Sequence, residues 1–216
     1  MDYSDFSEEN IKINCPLCDI KNHKYEYHLD FKYNVSNFYV RCDLNPIAEG
    51  HILVIPKEHI TCIGAYGNDL VNEYKTIDTT IRDYLKNTYG SYAVFEHGFF
   101  GQTVFHSHIH YFKFNGNLSD VIPEGTNSVN KLDSIDYLKT IYKKDGGYLY
   151  VEINNQMYTV DPKLSKPRFF RDRFAKALGN PELSNWKALR ENPELVKYAN
   201  KMCKDTQNKW QNYNIM

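Results

Sequence analysis

The run Gly101-Gln102-Thr103-Val104-Phe105-His106-Ser107-His108-Ile109-His110-Tyr111-Phe112 constrains this chain more than any other stretch. Three of the eight histidines stand at alternate positions among strand-forming residues. Side chains at i, i+2 and i+4 of a β-strand share one face, roughly 6.5–7 Å apart. The pattern predicts a strand after Gly101 that carries His106, His108 and His110 as one imidazole row. Phe105, Ser107, Ile109 and Tyr111 then face the other way. Imidazole titrates near neutrality, so such a row points to metal, phosphate or proton chemistry.

The flanking segments supply a scaffold for that row. Aromatic and β-branched residues over 25–33 and 37–42 predict two strands of a meander, and 50–56 reads as a buried strand closed by Pro56. Leu70, Val71, Tyr74, Ile77, Ile81, Tyr84 and Leu85 recur at helical spacing, which predicts one long amphipathic helix over 68–89 stopped by Gly90. A strand over 92–97 leads into the histidine run. This order predicts an α+β fold, an antiparallel sheet covered by a long helix. With 216 residues the chain holds one large domain or a core with an appendage. The expected division is a core over 1–114, whose first 14 residues read as a loose leader, and a C-terminal extension over 115–216 packed on it. Within the extension the pattern predicts a helix over 131–142, a hairpin turning at Asn154-Asn155, a helix over 166–178 and a last helix over 193–210.

Several function classes are excluded by what the chain lacks. The acidic, polar start has no basic and apolar signal regions, and no apolar run approaches the length of a membrane span. The five cysteines are an odd number, and Cys15-Pro16-Leu17-Cys18 is a C-x-x-C pair rather than a disulfide framework. These features predict a reducing, cytoplasmic setting, with the nucleus as the alternative. A net charge of −1 argues against a general nucleic-acid coat. Lys163, Lys166, Arg168, Arg171, Arg173 and Lys176 still make one segment locally basic. It reads either as a solvated helix face or as an RNA or DNA contact.

A tetrahedral zinc site needs four soft or borderline ligands. Cys15 and Cys18 offer two, and His59 and His106 are candidates for the others. His108 and His110 then stay available for chemistry, since a nucleophilic imidazole must not be tied to metal.

These residues resemble the histidine triad (HIT) superfamily. His106-Ser107-His108-Ile109-His110-Tyr111-Phe112 looks like its H-x-H-x-H-x-x signature, and Gly101-Gln102-Thr103-Val104 is similar to its G-Q-[ST]-V lead-in. Asp43-x-x-Pro46 and Gly50-His51-Ile52-Leu53-Val54-Ile55-Pro56-Lys57-x-His59 resemble its first block, and Cys15 and Cys18 resemble the C-x-x-C of a zinc-bearing branch. The resemblance implies a HIT-like fold and a nucleotidyl hydrolase or transferase, with hydrolase favoured. Such an enzyme acts at the α-phosphate of a nucleotide-containing substrate such as a dinucleoside polyphosphate or an adenylylated compound. It implies His108 as nucleophile, His110 and His51 on phosphate oxygens, and Gln102 and Thr103 beside the leaving group. It further implies Asp43 on ribose hydroxyls, Leu44 and Leu53 as walls of the base pocket, and a structural zinc on Cys15, Cys18, His59 and His106. A homodimer is a further expectation from the resemblance.

Three positions depart from the family pattern: Ser107 where an apolar residue is usual, Glu96-His97-Gly98 where Asn-x-Gly is common, and Arg41 near the base pocket. The Phe95-Glu96-His97-Gly98 spelling resembles a less-characterised branch with a C-terminal extension, loosely matched by 169–179 and Asn185-Trp186-Lys187. Two other readings compete with the enzyme. One is a nucleic-acid or ribonucleoprotein adaptor without catalysis. The other is a structural zinc protein, which fails because two cysteines leave room for only two of the histidines.

Overall fold

The computed structural model describes residues 15–19 and 27–215. The first half contains β1 (Phe38–Cys42), β2 (Ile52–Pro56), α1 (Asn68–Tyr89), β3 (Ala93–Gly98) and β4 (Ile109–Phe112). The second half contains α2 (Leu118–Val121), β5 (Val129–Leu132), α3 (Tyr137–Asp145), β6 (Tyr148–Ile153) and β7 (Gln156–Val160), then α4 (Phe169–Ala177), α5 (Trp186–Glu191) and α6 (Pro193–Ile215). The strands form one sheet in the order β1-β2-β4-β3-β6-β7-β5, and every described pair is antiparallel. The fold is α+β, as the element order predicts.

Helix α1 forms where the periodicity places it, because its apolar stripe has a sheet face to cover. Tyr74, Ile77, Ile81, Tyr84 and Leu85 are buried against it. Gly90 ends the helix at φ 82, a left-handed position that glycine adopts without strain, and donates its N–H to the Lys86 carbonyl. The tyrosines buried under α1 keep their hydroxyls satisfied. Tyr111 donates to Asp78 at 2.8 Å and meets the Tyr74 hydroxyl at 2.8 Å, while Tyr150 donates to Glu152 at 2.9 Å. Arg82 joins Asp78 to Glu152, so the helix is tied electrostatically to β6.

The opposite sheet face is also covered. Phe95 of β3 and Phe112 of β4 pack there with Phe169, Phe170 and Phe174 of α4, Leu189 of α5 and Met202 of α6. Cys203 and Trp210 of α6 belong to the cluster on the α1 side, so this helix serves both cores. Asn192 caps α6 by accepting from the Glu194 and Leu195 amides. β6 pairs along the whole of β3, from Ala93↔Ile153 to Gly98↔Tyr148, so one sheet runs through both halves of the chain.

Several boundaries differ from the sequence reading. Only 109–112 of the histidine run is strand, and 101–108 is a chain of turns and bends. Gly101 has φ 74, the His106 amide bonds the Val104 carbonyl, and the Ser107 amide bonds Ile60, so these groups serve local partners instead of a ladder. His106 and His108 therefore precede the strand, and only His110 lies within it. Over 27–33 the sole pairing among described residues is the isolated bridge His28↔Arg41. The helix expected at 131 starts at Tyr137, because 129–132 pairs with β7 as a strand. The helix expected at 166 starts at Phe169; Pro167 biases Lys166 away from helical backbone, and Arg168 is left-handed at φ 61. The last helix continues to Ile215. The Asn154-Asn155 hairpin turn stands, with φ 54 and 60 as a type I′ turn requires. The loose leader read over 1–14 lies outside the described residues.

Candidate functional site

A cross-strand row fixes the centre of the site. Arg41 pairs with Leu53, Leu53 with His110, His110 with Phe95, and Phe95 with Val151. Residues paired in register point to the same face, so His110 stands mid-sheet between an aliphatic and an aromatic neighbour. Phe95 stacks on it with ring centroids 4.2 Å apart. Burial holds His110 well below the usual histidine pKa, and the neighbouring His108, His51, Arg171 and His97 add to that effect.

Hydrogen bonds assign the protons. His51 Nδ1 accepts the Ile47 amide at 3.1 Å, which leaves the ring proton on Nε2. His51 Nε2 then donates to His110 Nδ1 at 2.9 Å, so neutral His110 carries its proton on Nε2. Burial pushes His51 down to about 4, the Asp43 carboxylate opposing it, which keeps the ring neutral near pH 7. His108 Nδ1 donates to the His106 carbonyl at 2.6 Å, which leaves Nε2 as a lone pair with no partner among the described residues. His108 is half-buried, whereas His51, His106 and His110 are buried. Within the triad, the imidazole with an unprotonated outer nitrogen is therefore also the one that solvent reaches.

Cys15, Cys18, His59 and His106 bring one donor atom each to within 4.8 Å of one another. Cys15 Sγ lies 3.4 Å and Cys18 Sγ 3.5 Å from His106 Nδ1, and Cys18 Sγ lies 3.2 Å from His59 Nδ1. A tetrahedral metal with about 2.3 Å to sulfur and 2.0–2.1 Å to nitrogen holds S and N about 3.5 Å apart. The Cys18 amide closes a turn on the Cys15 carbonyl, which carries both thiols to one side. His106 Nε2 donates to the Pro56 carbonyl at 2.8 Å, so Nδ1 faces the cysteines as a lone pair. The donor set fits a tetrahedral metal ion.

Asp43, His51 and His110 form a second cluster of similar compactness, and it does not fit a metal. The nitrogen that His51 would offer is the protonated one, and Arg171 already holds Asp43 Oδ2 at 2.8 Å. Burial alone would raise the Asp43 carboxyl; His51 and Arg171 outweigh it and hold it below the carboxylate range. Because His51 is neutral, the permanent counter-charge is the Arg171 guanidinium.

The other expected site residues are placed as follows. Gln102 is buried and donates to the Thr61 carbonyl at 2.7 Å, while its Oε1 has no partner among the described residues. Thr103 is exposed, and no described hydrogen bond joins it to the histidines. Leu53 is buried beside Ile55, with Leu17 and Tyr39 packed against them, while Leu44 is 38% exposed and outside that cluster. In the basic segment Arg171 is buried, and Arg173 pairs with Glu124 and covers the Phe169 ring at 4.2 Å. Those two arginines serve the fold, and Lys163, Lys166 and Lys176 remain exposed.

Two departures from the family pattern explain each other. Ser107 Oγ donates to Glu96 at 2.6 Å and meets the Tyr66 hydroxyl at 2.7 Å. Glu96 also accepts the Tyr148 hydroxyl at 2.6 Å and the Ile63 amide, on the sheet face opposite His110. Glu96 is therefore a clamp on the residue between His106 and His108, not a phosphate-side group. His97, on the site face, accepts the Phe170 amide at 3.2 Å and is pushed by burial down to about 3. Arg171 and this Glu96 clamp escaped the sequence reading; the paired unusual spelling of 96 and 107 was the available signal for the clamp.

Residues 26–114 match the family model described as HIT domain. The chain carries a HIT domain. The matched span begins upstream of β1 and ends just past β4, so it encloses the whole triad and leaves β5–β7 and α2–α6 outside. The chain is also similar to a hypothetical protein from Leishmania major, with 24% identity, TM-score 0.42, and coverage of 49% of this chain and 77% of that one. A Zn-bound histidine triad family protein from Mycobacterium smegmatis is 23% identical, with TM-score 0.40, and the match covers 49% of this chain and 78% of that one. A HIT family protein from Bacillus anthracis is 21% identical, with TM-score 0.42, and the match covers 62% of this chain and 95% of that one. Among curated proteins no match is found. No described helix is long and apolar enough to cross a membrane.

Proposed function

We propose that the HIT domain of this chain is a nucleotidyl hydrolase or transferase that works through His108. The observation that carries this reading is the orientation of that ring: Nδ1–H held by the His106 carbonyl at 2.6 Å, with Nε2 left as a lone pair without a partner among the described residues on a half-buried imidazole. In the reading, Nε2 attacks the α-phosphorus, the bond from phosphorus to the leaving group breaks, and a nucleotidyl-imidazole forms. Water or another acceptor then attacks the same phosphorus and returns the lone pair to Nε2. Burial lowers the His108 pKa, against the pull of its bond to the His106 carbonyl and of Asp43, which keeps the nucleophile unprotonated at neutral pH.

His110 supports the attack by offering Nε2–H to a phosphate oxygen, a neutral donor pre-set by His51. Both ring nitrogens of His51 are engaged within the protein, so His51 acts through His110 rather than on the phosphate. Gln102 Oε1, a buried acceptor without a partner among the described residues, suits a leaving group that departs with a proton. Leu53 lines the apolar side of the row, where a base would lie. The metal of the Cys15, Cys18, His59, His106 cluster is zinc in this reading, since two thiolates and two imidazoles suit it. Zinc supplies a structural staple: it anchors His106, whose carbonyl aims His108.

The test is nucleotide release from a panel of dinucleoside polyphosphates, nucleoside phosphoramidates and adenylylated compounds, with wild type and His108→Ala. Turnover by wild type and none by the variant, at unchanged zinc content and circular dichroism, supports the reading. Equal turnover by both proteins rejects His108 as the nucleophile.

A further inference from the structure

The peptide unit between His106 and Ser107 has both polar groups committed, and one of them aims the His108 ring. Its carbonyl accepts His108 Nδ1–H at 2.6 Å, and its N–H donates to the Ile60 carbonyl at 2.6 Å. A peptide unit is planar, so whatever fixes the N–H also fixes the direction of the carbonyl. His108 is therefore only as well oriented as residue 107 and the segment 60–64 that receives it.

Both are held from the far face of the sheet by one carboxyl group. Glu96 Oε1 accepts Ser107 Oγ at 2.6 Å, and the Ile63 amide donates to the two carboxyl oxygens at 3.1 and 3.2 Å. Ser107 has one hydroxyl proton and gives it to Glu96, so across 2.7 Å Tyr66 is the donor to Ser107 Oγ. Glu96 Oε2 accepts the Tyr148 hydroxyl at 2.6 Å, and that hydroxyl oxygen accepts the Gly64 amide at 3.0 Å. Tyr66, Glu96, Ser107 and Tyr148 are all buried. Glu96 thus grips the donor side of the Ser107–Ile60 bond through a side chain and the acceptor side through a backbone amide. Tyr148 opens β6, outside the 26–114 span, so the C-terminal half of the chain takes part from behind.

We propose that Glu96 is a positioning residue for nucleotidyl transfer, which fixes the 106–107 peptide through Ser107 and the 60–64 segment so that the peptide aims His108 at phosphorus. This rests on the His108 reading above. Tyr148 serves the same end one bond further back. Glu96 lies on the face opposite His110 and acts only through these contacts. A reacting group misplaced by about 1 Å can cost on the order of a hundredfold in rate. A slackened peptide therefore shows in kcat, while KM, set by groups on the other face, stays.

The experiment has two readouts on the full chain: kcat and KM for a nucleoside 5′-phosphoramidate, and the His108 Nδ1–H resonance after 15N-histidine labelling, which needs no substrate. Ser107→Ala deletes the link with little change of volume and leaves Glu96 its bonds to Tyr148 and Ile63. It is expected to lower kcat about tenfold with KM within about twofold, and to lose the resonance to exchange with water. Glu96→Ala should lose at least as much, and Glu96→Gln should recover most of it, because glutamine keeps an acceptor and a donor in place. A merely structural role would lower the unfolding temperature and leave both kcat per folded molecule and the resonance at their wild-type values. Wild-type kcat and resonance in Ser107→Ala, or Glu96→Gln no better than a folded Glu96→Ala, overturns the inference and leaves the nucleotide reading standing. If Glu96→Ala does not fold, Ser107→Ala decides alone. Absence of nucleotide turnover by wild type removes the nucleotide reading instead; the resonance then decides, its loss in Ser107→Ala upholding the aiming of His108 and its persistence overturning it.

Discussion

Replacing Glu96 with glutamine should change how stability depends on pH, and the contacts set the size of the change. Glu96 is 1% exposed, and burial raises its pKa from 4.5 to about 7 even though Ser107, Tyr148 and the Ile63 amide all donate to it. Between those values the unfolded chain has released the proton while the folded chain keeps it, so stability falls as pH rises. The contribution is fully present below pH 4.5 and is lost as pH climbs through 7. At about 1.4 kcal/mol per pH unit, wild type loses roughly 2.5 kcal/mol from this group between pH 5 and 8. Glutamine is a permanently neutral stand-in for the protonated acid. Its amide can donate where the acid's O–H did, because the hydroxyls of Ser107 and Tyr148 can turn to accept. Urea unfolding of both proteins at pH 5, 6, 7 and 8 reads the effect. The free-energy gap should move in favour of Glu96→Gln by about 2.5 kcal/mol across that range. A gap that is flat with pH would mean that Glu96 ionises like an exposed carboxylate, and the clamp on Ser107 would have to be abandoned.

Other contacts give further expectations. The double substitution Cys15→Ser, Cys18→Ser should take zinc from about one ion per chain to none by metal analysis, since two ligands cannot hold a structural site; stoichiometric zinc in the variant would refute the four-ligand assignment. Gly98→Ala places a Cβ 2.2 Å from the Tyr148 ring, which is buried and hydrogen-bonded to Glu96. The variant should lose about 1–3 kcal/mol in urea unfolding, and unchanged stability would show that the ring can move aside. Arg171→Met leaves Asp43 buried without its counter-charge and should cost about 3–5 kcal/mol. Adding Asp43→Asn should recover part of that loss, whereas simple additivity would show that the pair is not coupled.

What could be read from the sequence follows the reach of each signal. Helix α1 was legible to the residue because a 3.6-residue stripe and a terminal glycine are local properties of the chain. The Asn154-Asn155 turn was legible for the same reason. Alternation makes the histidine run resemble a single strand, yet the Ser107 amide is taken by the Ile60 carbonyl, a partner that no local pattern reveals. The metal cluster could be assembled from Cys15, Cys18, His59 and His106 because ligand types are few and chemically distinctive. Arg171 stood unmarked among six basic residues; only the packing of α4 onto Phe95 selects it and buries it against Asp43. The strand at 129–132 is hidden likewise, since its pairing partner lies in β7 and two of its four residues, Asn130 and Lys131, are polar and exposed.

The account stands or falls on where a nucleotide becomes attached. Wild-type protein mixed with a slowly hydrolysed nucleoside 5′-phosphoramidate, quenched under alkaline conditions and digested, can be mapped by mass spectrometry. One nucleotidyl group on His108, absent from His108→Ala and retained in His110→Ala at reduced yield, is the predicted result. A nucleotidyl group on another residue, or turnover with wild type never labelled under any quench, would contradict the central role given to His108.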